Sequence, residues 1–535
     1  MSYSSEDAAI INQTNHVVQY RLELLDEYLQ VISELTGDTA EVNFNIDSTS
    51  DIRRTADLTM VVNDRNWLTD NFEIGWLNKL VRFSIALRKP DGTWKWYVLG
   101  TLILTSDAFR FDTATQELHL SLVDMMAYGT PERGSQIGHG VKLTFGSNIK
   151  QMIEDFIIPG WFPYKQSEVE EFPDVLPYDQ NFGEGAYPYD LLNGVLSLFP
   201  WFEQYYDANG KYHAQKIPMN VEEDCLLTPE DINDLIIAEN KTFEFSKIKN
   251  STEIWGKAIT AHYTAQSCTL DGDTYTLGFT LNDMETLENN RKYCFKPQED
   301  SPASPKIHIA LTDPQAQDTA VLLDSNGQEL EAGAMRAGYA YVARCLDVPE
   351  EVPPEEGDEQ AEPTIRFVKQ FYLMGQKQIH VIVREMNVQP DAATMEADKR
   401  DNDCMDIRYV INPDNPYACD RYNTQTPPVR YSITKGEIRQ VLTDREYANI
   451  YSTQLAYERG EYENWLKCRV NTDVELTTVL IPFIDVNKKI EYTSPITHET
   501  HQYLVKAVNM DVAGFTMTMQ LARFYNWLPT NDGQT

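Results

Sequence analysis

The sequence predicts a mainly β, multidomain protein with small α+β modules. Three observations lead there. Aromatic residues make up 11% of the 535, including 29 tyrosines, a bias that suits sheets better than helical bundles. Short runs of alternating apolar and polar residues recur along much of the chain. Turn dipeptides such as Asp91-Gly92 and Asn209-Gly210 punctuate them. With 42% hydrophobic residues the chain can bury real cores, and its length allows three or four domains.

Residues 1–130 read as a first β-barrel. "EVNFNID" (41–47), "RRTADLTMVV" (53–62), "LVRFSIALR" (80–88) and "WKWYVLGTLILTS" (94–106) are β-rich, and "ELHLSLVDMM" (117–126) closes the series with Leu118, Leu120 and Leu122 on one face. The stretch 20–35 fits a helix through Leu22, Leu25, Leu29 and Ile32, and a strand through Tyr20, Leu22 and Leu24; strands are the preferred reading. Residues 131–241 form a small α/β module, with a helix over 147–157 capped by Ser147 or Asn148. In it "YPYDLLNGVLSLF" makes a second helix that stops before Pro200, followed by a hairpin turning on Asn209-Gly210.

Strands resume over 242–263, and 264–390 reads as an inserted β-domain. Its segment 347–363 carries eight acids, four prolines and no base, the composition of a solvated loop. Residues 391–535 hold a proline-rich corner, "INPDNPYACDR", then a helix over 443–466 and a second barrel. Pro413 and Pro416 lock φ and end any ladder, while Asn412, Asp414 and Asn415 suit turn backbones. Thr443 and Glu446 have capping-box spacing, and Tyr447, Tyr451, Leu455, Tyr462 and Leu466 make one apolar stripe. The runs "VELTTVLIPFIDV", "KKIEYTS", "QYLVKAVNMDV" and "FTMTMQLARF" supply the closing strands.

Residues 96–124 and 502–524 echo each other: a Tyr-led strand, an acid at a turn, then a strictly alternating strand. One barrel used twice and two hairpins of coincident pattern both produce such an echo.

Chemistry is sparse. Against 82 acids stand 45 lysines and arginines, a formal charge of −37, which opposes any phosphate-tracking nucleic-acid binder. The seven cysteines show no CxxC and read as reduced, partly buried thiols. His498 and His501 are spaced i, i+3, wrong for two zinc ligands on a helix, and read as a polar hairpin tip. "GEGAYP" (183–188) lacks a third glycine and a strand-to-helix setting for phosphate, and Asp271 and Asp273 lack the later acids of a calcium loop. No nucleophile motif occurs. No catalysis, cofactor or metal is expected. The N-terminus shows no basic segment leading an apolar core, and no run approaches 18 apolar residues, so neither signal peptide nor spanning helix is expected.

The order of segments resembles the trimeric tail-hub, or baseplate-hub, family of phage tails. The likeness rests on "DIRRTADLTMVV … LHLSLVDMMAYG", "YDLLNGVLSLF … YYDANGKYHAQKIP", "SKIKNSTEIWGK" and the run from "NPDNPYACDR" to "FTMTM". It covers about three quarters of the chain. It implies two tube-like β-barrels per subunit, and so six barrel positions in a homotrimer, a pseudo-hexameric ring between a hexameric tube and a trimeric tip. Implied partners are the tail tube or distal tail protein, the tape measure protein, and tip, spike or fibre proteins. DNA would pass without specific binding, repelled by lumen carboxylates such as Glu117 and Asp485. Tyr417 and Arg421 are candidate subunit contacts. The implied location is the virion tail tip, assembled in the host cytoplasm. The competing reading is a carbohydrate-directed tail protein that uses the inserted β-domain.

Overall fold

A computed structural model describes residues 4–525 apart from 14–15, 27, 38, 62–79, 113, 145, 177, 281–283, 325–326, 353–363, 420–435, 444–446 and 470. The fold is mainly β. The chain divides into two compact units, Met1–Ile248 with Arg469–Thr535, and Lys249–Cys468.

The first unit is built on a twelve-stranded antiparallel sheet. Eleven strands run in the order Ile236–Glu244, Asn471–Val479, Thr516–Arg523, Thr500–Asp511, Thr39–Asp47, Arg54–Val61, Glu117–Asp124, Trp94–Asp112, Leu80–Arg88, Val18–Leu25, Val31–Gly37. The twelfth, Lys489–Thr493, pairs on Thr500–Asp511. The strand reading of 20–35 therefore holds, and so does the Asp91-Gly92 turn, where Gly92 takes φ +88°.

A five-strand motif occurs twice in this sheet. In chain order its first copy is Thr39–Asp47, Arg54–Val61, Leu80–Arg88, Trp94–Asp112 and Glu117–Asp124. The second is Ile236–Glu244, Asn471–Val479, Lys489–Thr493, Thr500–Asp511 and Thr516–Arg523. In both, first pairs with second, second with fifth, fifth with fourth, and fourth with third. The echo between 96–124 and 502–524 is thus the visible end of a longer repeat. Residues 507–511 pair with 43–47, so the two barrel segments are joined as halves of one hydrogen-bonded sheet.

Period-2 alternation puts one face of both halves into one core: Phe44, Ile46, Leu58, Leu120 and Leu122 join Val474, Leu476, Val508, Met510, Met517 and Met519. The helices and the hairpin expected within 131–241 are present. Asn148 caps the first helix by accepting from Gln151 N at 2.9 Å, and helical structure continues through a π segment to Trp161. The second helix is Pro188–Leu196, and Gly210, at φ +83°, turns the hairpin Phe202–Tyr206/Tyr212–Lys216.

The second unit holds an eight-stranded sheet from Tyr263–Thr264 to Thr364–Gln376, and a four-stranded sheet. The latter is ordered Asp406–Ile411, Gln378–Met386, Ser251–Ala258, Arg439–Leu442. The insert's own sheet thus ends at Gln376, short of 390, because Gln378–Met386 pairs back onto Ser251–Ala258. Part of the expected acidic loop is strand: 347–352 belong to Tyr341–Val352. Cross-strand cations make this possible, Asp347 meeting Lys369 at 2.6 Å and Glu350 meeting Arg366 at 2.7 Å. Residues 353–363 lie outside the described residues.

The helix expected over 443–466 is Thr453–Lys467. Its cap is Ser452, which accepts from Leu455 N, whereas Tyr447–Asn449 form a separate 3-10 turn. It buries Ala456, Gly460 and Asn464, seated on Ser251–Ala258 and Gln378–Met386, and of the expected stripe Tyr447 and Leu455 pack half-buried against the same core. Gly460 permits that seat, since a Cβ there would lie 2.5 Å from Val383 Cγ2.

Candidate functional site

In the first unit, the face opposite the core is polar across both halves of the sheet. One row runs Thr477, Thr518, Asn509, Asn45, Thr55, each paired with the next. A second runs Thr516, Asp511, Asn43, Asp57, Ser121 in the same way. Strand parity puts these small polar residues on one surface, because their neighbours along each strand are core residues. Glu117 shares that face, accepting from Thr115 at 3.0 Å beside His119.

Both edge strands of this sheet expose apolar side chains. Val31 and Ile32 are exposed on one outermost strand, and Ile237 and Phe243 on the other. Phe243 is informative because the repeat assigns it a counterpart. Asp57 and Glu475 are equivalent by their pairings, so Asn43 matches Asn240 and Ile46 matches Phe243. Ile46 is 3% exposed and Phe243 is 55% exposed. The same position is core in one copy and surface in the other, since only the first copy has Thr500–Asp511 beside it.

Asp485 is not a free lumen charge. It meets Arg54 Nη2 at 2.5 Å in a largely buried cluster. Arg54 also donates through Nη1 to the Tyr206 carbonyl, and Arg53 meets Glu203 at 2.5 Å. Glu203 further accepts from Asn487 at 2.6 Å. Asp124 accepts from the Arg54 and Met126 amides, each at 2.8 Å; burial pushes its carboxyl up against the pull of those bonds and of Arg54. The cluster ties the first sheet half, the α/β module and the second half together, using partners 150 and 431 positions apart.

The corner at 411–421 belongs to the second unit. Asn412 and Asn415 both donate to Glu385 Oε1, at 2.9 and 2.6 Å, and Asn415 also reaches the Cys468 carbonyl at 2.8 Å. Asn387 donates to the carbonyls of Asn412 and Asn415. The stiff turn is therefore a clasp from the end of Gln378–Met386 to the end of the long helix. Tyr417 sits half-buried in it, its carbonyl accepting from Asn250, and Arg421 lies outside the described residues.

Nearby, Arg384 is wholly buried between Asp398 and Glu437, the latter at 2.9 Å. Burial would raise the Glu437 carboxyl, but Arg439 and Arg384 outweigh it and hold it down to about 2. None of these partners is readable from spacing, because 14 and 53 residues separate Arg384 from its acids.

The remaining motifs resolve simply. His498 lies in the turn between Lys489–Thr493 and Thr500–Asp511, at φ +59°. Asp271 and Asp273 flank a hairpin turn, Asp273 paired to Lys306 at 2.8 Å. "GEGAYP" does join a strand, Gln180–Phe182, to a helix, contrary to expectation, and Asp190 already occupies that helix start by accepting from Tyr187 N. No disulfide joins the seven cysteines, and burial pushes Cys268 and Cys345 up to about 11. Among the described residues no group of three or more His, Cys, Asp or Glu could hold a metal, and no helix is long and apolar enough to cross a membrane.

Residues 428–528 match a family model described as a domain of unknown function (DUF5048). No curated protein matches the sequence. Among solved structures the chain is similar to the 43 kDa tail protein of prophage MuSo2 from Shewanella oneidensis, at 10% identity and TM-score 0.42, covering 94% of this chain and 98% of that one. It is similar to a tail protein from Neisseria meningitidis MC58, at 7% identity and TM-score 0.42, covering 94% and 96%. It is also similar to prophage tail protein gp18 from Listeria monocytogenes EGD-e, at 6% identity and TM-score 0.37, covering 94% of each.

Proposed function

We propose that this chain is a structural phage tail protein, a hub whose copies join head to tail through the edges of the duplicated sheet. The carrying observation is the pair Ile46 and Phe243, equivalent in the repeat yet buried and exposed. Inside the chain, 507–511 covers the strand containing Ile46. The counterpart of 507–511 is the distal part of Trp94–Asp112, which pairs only with Glu117–Asp124 among the described residues. A second copy offering that strand to Ile236–Glu244 repeats the internal junction between chains, burying Phe243 and pairing an open edge. The repeat sets the register: Phe109 opposite Phe243, Arg110 opposite Thr242, Asp112 opposite Asn240.

Three copies then place six sheet repeats in a ring, matching a sixfold tube on one side and a threefold tip on the other. The tube or distal tail protein, the tape measure protein and tip proteins are the partners of such a hub, in a virion tail assembled in the host cytoplasm. The Thr/Asn/Asp face becomes the channel lining, where Asp57, Glu117 and Glu475 repel phosphate so that DNA passes unbound. No reaction is required of any residue.

Oxidative crosslinking tests this. The pair Arg110→Cys and Thr242→Cys brings Cβ atoms to about 5 Å across such a junction. Covalent trimers on a mass measurement are the expected result. A ring of six chains overturns the trimer, and assembled particles without crosslinks overturn the edge pairing.

A further inference from the structure

In this acidic chain one cavity is cationic. It lies in the second unit, has a volume of about 560 Å³, and is lined by Lys292, Arg344, His262, Asn289 and Asn290. Lys292 and Arg344 stand directly opposite each other on the paired strands Lys292–Phe295 and Tyr341–Val352. Like charges at opposed positions destabilise a sheet. Neither has a carboxylate within ion-pair distance among the described residues, although the chain carries 37 more acids than bases. The one acid in the lining, Glu288, is held by Arg291 at 2.5 Å.

Apart from the Glu288 carboxylate, which Arg291 holds, the side-chain groups bonded around this space turn donors towards it. Asn290 Oδ1 accepts from Arg344 Nε at 2.6 Å, and Asn289 Oδ1 accepts from Asp347 N at 3.0 Å, so both amide NH2 groups remain available. His262 Nδ1 accepts from Lys292 N at 3.1 Å, which makes its Nε2 a donor. A site with two uncompensated cations and three neutral donors calls for an acceptor-rich anion. The cavity has the size of a small-ligand site, and its lining holds no Phe, Tyr or Trp on which bases could stack.

We propose that this groove binds a short anionic oligosaccharide, its carboxylate or phosphate between Lys292 and Arg344 and its hydroxyls on Asn289, Asn290 and His262. The cost of the opposed cations in the free protein is recovered when the anion arrives. This site is independent of ring formation.

Titration calorimetry on the full chain at low salt tests it, with trigalacturonate and a monophosphorylated maltotriose as the two anionic probes. Maltotriose, inorganic phosphate and triglutamate are the controls. At least one anionic probe should bind with Kd of about 1 mM or tighter, and which one identifies carboxylate or phosphate as the recognised group. Lys292→Gln with Arg344→Gln should weaken that binding roughly tenfold or more while leaving the free protein's Tm unchanged or higher. Three results overturn the proposal: no binding of either anionic probe, binding of maltotriose or triglutamate as tight, or a double variant that binds normally. A fall in Tm on removing both charges also counts against it, since the pair would then be structural.

Discussion

The strands Thr39–Asp47 and Ile236–Glu244 hold the same place in two copies of one motif, yet one lies inside the sheet and the other at its edge. Their sequences do not announce the difference. "EVNFNID" alternates well, and "IIAENKTFE" carries apolar residues at both ends with Glu239 turned inward. Glu239 is satisfied there by Tyr492 at 2.7 Å, Ser494 at 2.7 Å and Lys241 at 2.9 Å. An edge strand can thus keep a buried acid on one end and an exposed Phe on the other. What separates the two strands is the neighbour, and the neighbour is a matter of which segment the chain brings back.

The largest effect should come from the cluster through which Arg54 of the first copy holds Asp485 of the second. Arg54→Met leaves Asp485 without its cation and should cost about 3–5 kcal/mol in chemical denaturation. A loss below about 1 kcal/mol would mean that the cluster does not hold the sheet halves and module together. Ile46→Ala should cost about 2–5 kcal/mol as a core truncation. Its equivalent, Phe243→Ala, should change isolated-chain stability by less than about 0.5 kcal/mol while weakening assembly. Equal losses in the two variants would break the comparison.

The second unit provides a control outside the repeat. Gly460→Ala should cost about 1–3 kcal/mol by forcing the helix off Val383, with the first unit unaffected. Acid should act on the same unit. The folded Glu437 carboxyl is held near 2, below its usual 4.5, so its contribution is present above about pH 4.5 and lost as pH falls towards 2. Replacing Glu437 with Gln should remove that part of the pH dependence, on the order of 1–2 kcal/mol, as followed by urea midpoints at pH 5 and pH 2.5.

Sequence alone determined the local matters. Alternation placed Leu118, Leu120 and Leu122 on a common face, and Asp91-Gly92 and Asn209-Gly210 turned hairpins, because period and turn geometry depend on adjacent residues. It showed the end of a repeat as an echo, and the prolines of 411–421 as a corner. Only the tertiary structure decided that the two barrel segments form one sheet, that Ser452 rather than Thr443 starts the long helix, and that Asp485 pairs with Arg54. It also decided that Phe243 is left uncovered where Ile46 is not. The physical reason is range: a turn or a strand face is settled by neighbours in the chain, whereas a sheet edge, a buried ion pair and the choice between two competing caps are settled by groups that folding brings from hundreds of residues away.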